Sequence, residues 1–371
     1  MPVTLSGARA AGLAGVIIGA LPAIAAAQSY SSDTGGTVTF YGQVSPTFIG
    51  LDDGRDSEGV LADNAHSNTR LGFDLDQSLS GGAALRFKLE TGLGAPQSSS
   101  FSQDDAPGWT WEKTDLRHAD LSLEAGFGTL SLGQGSMASD GIAGSDLSGT
   151  ALASAVATGD TAGGYLFRRE DGALSDVAIS DVFTDFDGGR KGRIRYDTPE
   201  VSGVTLAVAY GQEVLAGDDD ADYYDIGLFY DAEMGELSLA AGLGGGWKDD
   251  GGDVSQSWAG SLSLLHAPTG LTGTVAGGGD PDGGSYVYVK AGILRDWWQI
   301  GSTAVSVDHY AGEDLGSDGA ESRQTGIQMT QSVDDWNTEF YLGYAEYSHE
   351  DDSGAEYEDA ASVIAGMRWR F

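Results

Sequence analysis

The 371-residue chain contains no cysteine, so no disulfide framework holds it together. It is also poor in positive charge: 19 Lys and Arg stand against 56 Asp and Glu, a formal net charge of −37. Phosphate backbones are bound by basic patches, which argues against a nucleic-acid partner. The body of the chain has no run of 18 apolar residues, excluding membrane-spanning helices. That absence leaves open a β-barrel, whose lipid face takes only every second residue. The five histidines, His66, His118, His266, His309 and His349, show no metal-ligand spacing. His349-Glu350 lacks the second histidine of a zincin, and neither a P-loop nor a nucleophile elbow occurs. Asp104-Asp105 and Asp334-Asp335 read as solvated loop ends, and no enzymatic reading emerges.

Glycine and acid are abundant. The chain has 58 glycines and 40% hydrophobic residues. Acids collect in glycine-rich runs, at Asp52-Asp53-Gly54, Gly217–Asp220, Asp249–Asp253 and Gly279–Gly283. These read as solvated loops. Clustered carboxylates also allow weak Ca²⁺ binding there, although no run has the spacing of a Ca²⁺ loop and no cofactor is implied.

Residues 1–27 read as a cleaved export signal. Arg9 supplies the positive charge, Ala10 to Ile24 the apolar centre, and Ala25-Ala26-Ala27 the small-residue cleavage site before Gln28. The remainder, 28–371, reads as one domain of alternating segments about ten residues long, the length a tilted strand needs to cross a bilayer. Val38 and Phe40 oppose Thr39, Tyr41 and Gln43. Leu71, Phe73 and Leu75 oppose Arg70, Gly72, Asp74 and Asp76. Leu85, Phe87 and Leu89 oppose Arg86, Lys88 and Glu90. Period-2 alternation means strand, with one apolar and one charged face. In the closing strand, Val363, Ala365, Met367, Trp369 and Phe371 share one face and Ser362, Gly366, Arg368 and Arg370 the other, with Ile364 the exception. About sixteen such segments follow, an even number as single-chain bacterial barrels require. Short connections alternate with longer acidic ones, the pattern of periplasmic turns and external loops. Trp109, Trp111, Tyr223, Tyr224, Trp297, Trp298, Trp336, Tyr341 and Trp369 lie near segment ends and suit interfacial girdles.

One connection breaks the rhythm. Residues 135–189 lack steady alternation, and a connection of such length is uncommon unless functional. It carries Asp140, Asp146, Asp160, Glu170, Asp171, Asp176, Asp181, Asp185 and Asp187, and it is the candidate for a loop folded into the barrel.

Five pieces carry a family likeness: Thr69–Phe73, Leu85–Glu90, Gly126–Gly133, Ile194–Pro199 and the terminal Trp369-Arg370-Phe371. In this order the chain resembles the general bacterial porins, especially the alphaproteobacterial kind. The resemblance implies an all-β, sixteen-stranded antiparallel transmembrane β-barrel with short periplasmic turns, long external loops and one inward-folded constriction loop. It also implies a homotrimer in the outer membrane, in contact with lipid and lipopolysaccharide, that passes ions and small hydrophilic solutes. Carried onto this chain, a basic pore wall of Arg70, Arg86, Lys88, Arg117, Arg190, Arg193, Arg195, Arg368 and Arg370 faces constriction-loop acids Asp140, Asp146, Asp160, Glu170, Asp171 and Asp176. Strand parity alone puts Arg70, Arg86, Lys88, Arg193, Arg195, Arg368 and Arg370 in the lumen. Arg117 disagrees, because it shares parity with Leu121 and Leu123 while His118, Asp120 and Ser122 take the other face.

Opposed rows of charge set a transverse field across a narrow water column, and rings of acids favour cations. For the passive channel that the resemblance implies, the overall acidity points to cation preference. Two alternatives stay open: a substrate-selective channel for a sugar or organic ion on the same barrel, and a secreted acidic all-β protein that binds Ca²⁺.

Overall fold

Alternation becomes a closed wall. The computed structural model describes residues 28–371 apart from Asp218 and Asp282; the export-signal reading of 1–27 lies outside the described residues. The main sheet has 19 hydrogen-bonded segments. Two staves are each broken in two, and Gln28–Ser31 is an addition beside the first, so sixteen antiparallel staves form the barrel.

The first half comprises β1 (Gly36–Val44 continuing as Pro46–Asp52), β2 (Ser57–Asp63 continuing as Arg70–Ser78), β3 (Ala84–Gly92), β4 (Leu116–Ala125), β5 (Gly128–Ser136), β6 (Arg190–Asp197), β7 (Val204–Gln212) and β8 (Asp222–Met234). The second comprises β9 (Leu237–Asp249), β10 (Val254–His266), β11 (Leu271–Gly279), β12 (Ser285–Trp298), β13 (Gly301–Glu313), β14 (Glu321–Val333), β15 (Thr338–Glu350) and β16 (Ala360–Arg370). The ends meet where β16 pairs with both pieces of β1. Phe371 seals the seam by exchanging backbone hydrogen bonds with Gly42 at 3.0 and 3.1 Å. The sixteen staves thus close into a ring, the condition for sheet in a bilayer.

Outward positions carry the exposed apolar residues, among them Leu61, Leu121, Ile194, Leu206, Leu243, Val287, Ile327 and Leu342. Leaving such a belt in water costs about 25 cal/mol per Å² of apolar surface; hydrocarbon removes the cost. Trp247 and Trp258 stand outward near the long-loop end, and Trp297, Trp298 and Trp336 near the short-turn end. Two girdle expectations are corrected. Tyr341 is buried on the lumen side, and Tyr223 turns inward beneath two lysine ammoniums. In both cases strand parity outweighs nearness to a strand end.

The long connection starts two residues later than its sequence suggests, because β5 runs on to Ser136. Residues 137–189 then fold inward. Their Ile142, Leu152, Val156, Tyr165, Phe167, Ile179, Val182 and Phe183 form one buried cluster with lumen-facing Ile49, Leu51, Tyr286, Tyr288, Tyr310, Tyr347 and Ile364 of the wall. The loop backbone approaches the wall too closely for side chains at two points. A Cβ at Gly227 would sit 2.1 Å from the Ala138 carbonyl oxygen, and one at Gly242 would sit 2.6 Å from that of Ile142. Glycine is the residue that permits such an approach.

Candidate functional site

The basic residues that the sequence assigns to the pore wall lie on β2, β3, β4, β6 and β16. Arg70 lies 3.6 Å from Glu90, Arg86 2.6 Å from Asp76 and Lys88 4.0 Å from Asp74. Arg368 and Arg370 share Glu339 at 2.7 and 3.4 Å, and Arg368 also donates to Ser67 Oγ at 3.0 Å.

Arg117 joins them through a bulge. Thr91 pairs with Leu116 but its neighbour Glu90 pairs with His118, so Arg117 is an extra residue in β4. A bulge re-aims a side chain that simple alternation would send outward. Arg117 Nε therefore donates to Glu90 Oε1 at 2.6 Å, while His118 and Asp120 remain inward, 3.3 Å apart. The register conflict in the sequence has this physical origin. Glu90, which also accepts from Tyr41 OH at 3.0 Å, binds two arginines at once. Arg70, Arg117, Arg190 and Arg368 form one electrostatic neighbourhood.

Arg193 and Arg195 are used differently. Arg193 donates to the Ser136 and Gly133 carbonyls at 2.9 and 3.1 Å and pairs with Asp120 at 2.9 Å. Arg195 donates to the Met137 carbonyl at 2.7 Å and pairs with Asp197 at 2.7 Å. Both clamp the point where the inward loop leaves the wall. Arg190 stands where the loop returns, 3.8 Å from Asp140, and there wall and loop charges meet directly.

The loop acids divide into three groups. Asp140, Asp160, Asp185 and Asp187 form one electrostatic neighbourhood on the inward loop. Burial raises the Asp160 carboxyl to about 6, with Asp185 adding to the effect. Burial likewise raises Asp187 to about 7; hydrogen bonds from Gly141 and Ala143 oppose this, and Asp185 and Asp140 reinforce it. Asp146 is not a free lumen charge. Its carboxylate is 2.7 Å from Lys290, which also donates to the Ser154 carbonyl at 2.7 Å. Burial opposes ionisation of Asp146, but the lysine outweighs it and holds the carboxyl below its ordinary range. Glu170, Asp171 and Asp176 are exposed on the hairpin Leu166–Ala178, which lies against the last external loop through Arg169 and Tyr357. Arg55 donates to the Glu170 carbonyl there. Those three acids belong to the outer mouth and face no arginine of the wall.

Sequence reasoning also passed over the loop's anchors. Asp308 accepts from Ser154 Oγ at 2.6 Å and Tyr288 OH at 2.9 Å. Tyr286 and Tyr310 stack 5.2 Å apart, and Phe183 packs 5.1 Å from Tyr310. The signal was available as Tyr286, Tyr288 and Lys290 alternating on the lumen face of β12. Among the described residues no group of three or more His, Asp or Glu is placed to hold a metal ion.

A closed sixteen-stave barrel with an apolar outer belt, a charged lumen and an internal loop is an outer-membrane channel. Residues 12–352 match the family model described as Gram-negative porin, and the chain belongs to that family. No curated protein matches in sequence. Among solved structures the chain is similar to an anion-selective porin from Comamonas acidovorans, with a TM-score of 0.59 and 19% identity over 91% of this chain and 100% of that one. It is also similar to OprB of Pseudomonas putida, with a TM-score of 0.60 and 9% identity over 91% and 95%. A third is OmpT of Vibrio cholerae in trimer form, with a TM-score of 0.54 and 16% identity over 91% and 99%. These likenesses bear on the fold.

Proposed function

We propose that the protein is a passive diffusion pore for ions and small hydrophilic solutes, that it prefers cations, and that it works as a homotrimer in contact with outer-membrane lipid and lipopolysaccharide. The observation that carries the diffusion reading is the pair of opposed charge sets, Arg70, Arg117, Arg190 and Arg368 on the wall and Asp140, Asp160, Asp185 and Asp187 on the loop, meeting at Arg190–Asp140. Such a field passes oriented polar solutes and penalises apolar ones. Cation preference rests on the acidic mouth and the net charge of −37.

The arginine cluster supports a second reading, in which the narrowest section favours anions; the Comamonas acidovorans relative is described as anion-selective. Single-channel conductance in a KCl gradient tests both. Ohmic steps with a cation-directed reversal potential are expected. An anion-directed potential overturns the preference, and absence of conductance from folded protein overturns the pore. Residues 1–27 act in this proposal as a cleaved signal, so amino-terminal sequencing of the membrane-inserted protein begins at Gln28.

A further inference from the structure

The external vestibule holds a half-enclosed cavity of about 310 Å³ beside the neck of the inward loop. One side is formed by Lys191 of β6 with Tyr223 of β8 and Lys248 of β9. Both ammoniums converge on one ring, at 4.5 and 5.4 Å from its centroid. The other side is the loop neck, with Asp187 and the Gly188-Gly189 backbone, and Ser255 and Ser257 of β10 supply polar groups.

The charges in this cavity are held but not exhausted. Lys191 donates to Glu213 at 2.9 Å and Lys248 to Asp219 at 3.3 Å, and an ammonium has three donors. Asp187 accepts from the Gly141 and Ala143 amides at 2.7 and 2.9 Å, and a carboxylate has about four acceptor sites. By contrast, the nearby Asp225 carboxylate is taken up by Ala138 N, Ser139 N and Ser139 Oγ.

We infer that this cavity is a capture site for small zwitterions, amino acids or dipeptides, whose carboxylate meets Lys191 and Lys248 and whose ammonium meets Asp187. The inference rests on the pore reading and adds a solute class to it. A simple carboxylate finds Asp187 opposite and must first cross an acidic mouth. A simple cation finds two ammoniums. A zwitterion satisfies both sides and carries no net charge past the acidic loops. Tyr223 holds the two ammoniums in place through cation–π contact and its hydroxyl donates to Asp219 at 2.5 Å, so the lysine side of the site is organised before a solute arrives.

The test uses the full-length purified protein in a planar bilayer at pH 8, with L-serine added to one side at a time. Block is expressed as a fraction of each variant's own open current. Lactate, ethanolamine and glycerol serve as the carboxylate, cation and neutral probes. Serine is expected to give saturable block from the external side only, several-fold stronger than any of the three. Lys248→Gln and, separately, Asp187→Asn are each expected to raise the half-blocking concentration at least fivefold. Block by serine no stronger than by glycerol, block by lactate equal to serine, or an unchanged Lys248→Gln channel each overturns the inference while leaving the pore intact. A folded protein without conductance overturns the pore itself.

Discussion

The lumen wall has two halves that differ in what lies against them. On β2 to β6 the inward positions carry Arg, Lys, Asp and Glu held in ion pairs, some exposed, as Arg86–Asp76, and some buried, as Arg193–Asp120. On β10 to β16 and the second piece of β1, the inward positions Ile49, Leu51, Ala259, Tyr286, Tyr288, Tyr310, Tyr347 and Ile364 join one buried apolar cluster with the inward loop, and polar neighbours such as Lys290, Asp308, Gln324 and Gln328 are buried beside them. The backbone is the same on both sides; the difference is what lies against it. Lumen polarity is therefore not a property of barrels as such. An apolar cluster on the lumen face is the footprint of a covering loop, and the polar groups beneath that loop are held by partners on it, as in Lys290–Asp146 and Asp308–Ser154.

The strongest test of that contrast is Lys290→Met, which leaves Asp146 buried without its partner. Breaking a buried ion pair costs about 3–5 kcal/mol, so the temperature at which the heat-modifiable band converts should fall markedly. The double change Lys290→Met with Asp146→Leu should recover most of the loss. If the single change leaves that temperature unmoved, the covered half is not pinned as described.

Neighbours on β16 sharpen the comparison. Ile364 is 1% exposed beneath the loop and Val363 is 38% exposed on the outer face. Ile364→Ala should cost about 2–5 kcal/mol through the cavity it opens, and Val363→Ala about 1 kcal/mol. Equal losses in the same thermal assay would remove the distinction between the two faces.

On the open half, Arg70→Gln with Arg117→Gln removes two lumen cations and frees Glu90. A unit charge at about 4 Å in water is worth about 1 kcal/mol, so the cation-to-anion permeability ratio should rise roughly fivefold. A reversal potential that does not move toward cation selectivity would show that these arginines do not border the conducting path. The smallest effect concerns pH. The Asp160 and Asp187 carboxyls, raised to about 6 and about 7, are ionised above those values and neutral below. Acidification from pH 8 to pH 5 should thus weaken cation preference, roughly twofold given screening by salt in the lumen. A stronger cation preference at pH 5 would contradict this.

How far the sequence reaches can be judged from particular residues. Arg70, Arg86, Lys88, Arg368 and Arg370 were legible because period-2 alternation is local, and a strand's own residues fix its two faces. Ile364 was legible only as an exception, since its partner, the inward loop, lies some two hundred positions away. Arg117 was misdirected by parity because a bulge is defined by two strands together and not by one. Glu170, Asp171 and Asp176 looked equivalent to Asp140 along the chain, yet the loop's path carries them to the outer mouth.

By itself, then, the sequence determined the barrel, its sixteen staves, its lipid face and which strand face its basic residues share, because these follow from alternation and turn spacing alone. Only the tertiary structure decided which acids meet the arginines, which lumen positions become a core, and where two lysines and Asp187 border one cavity. Those outcomes depend on contacts between distant segments such as Lys290–Asp146 and Asp225–Ser139, and no local pattern encodes a pairing across a hundred residues.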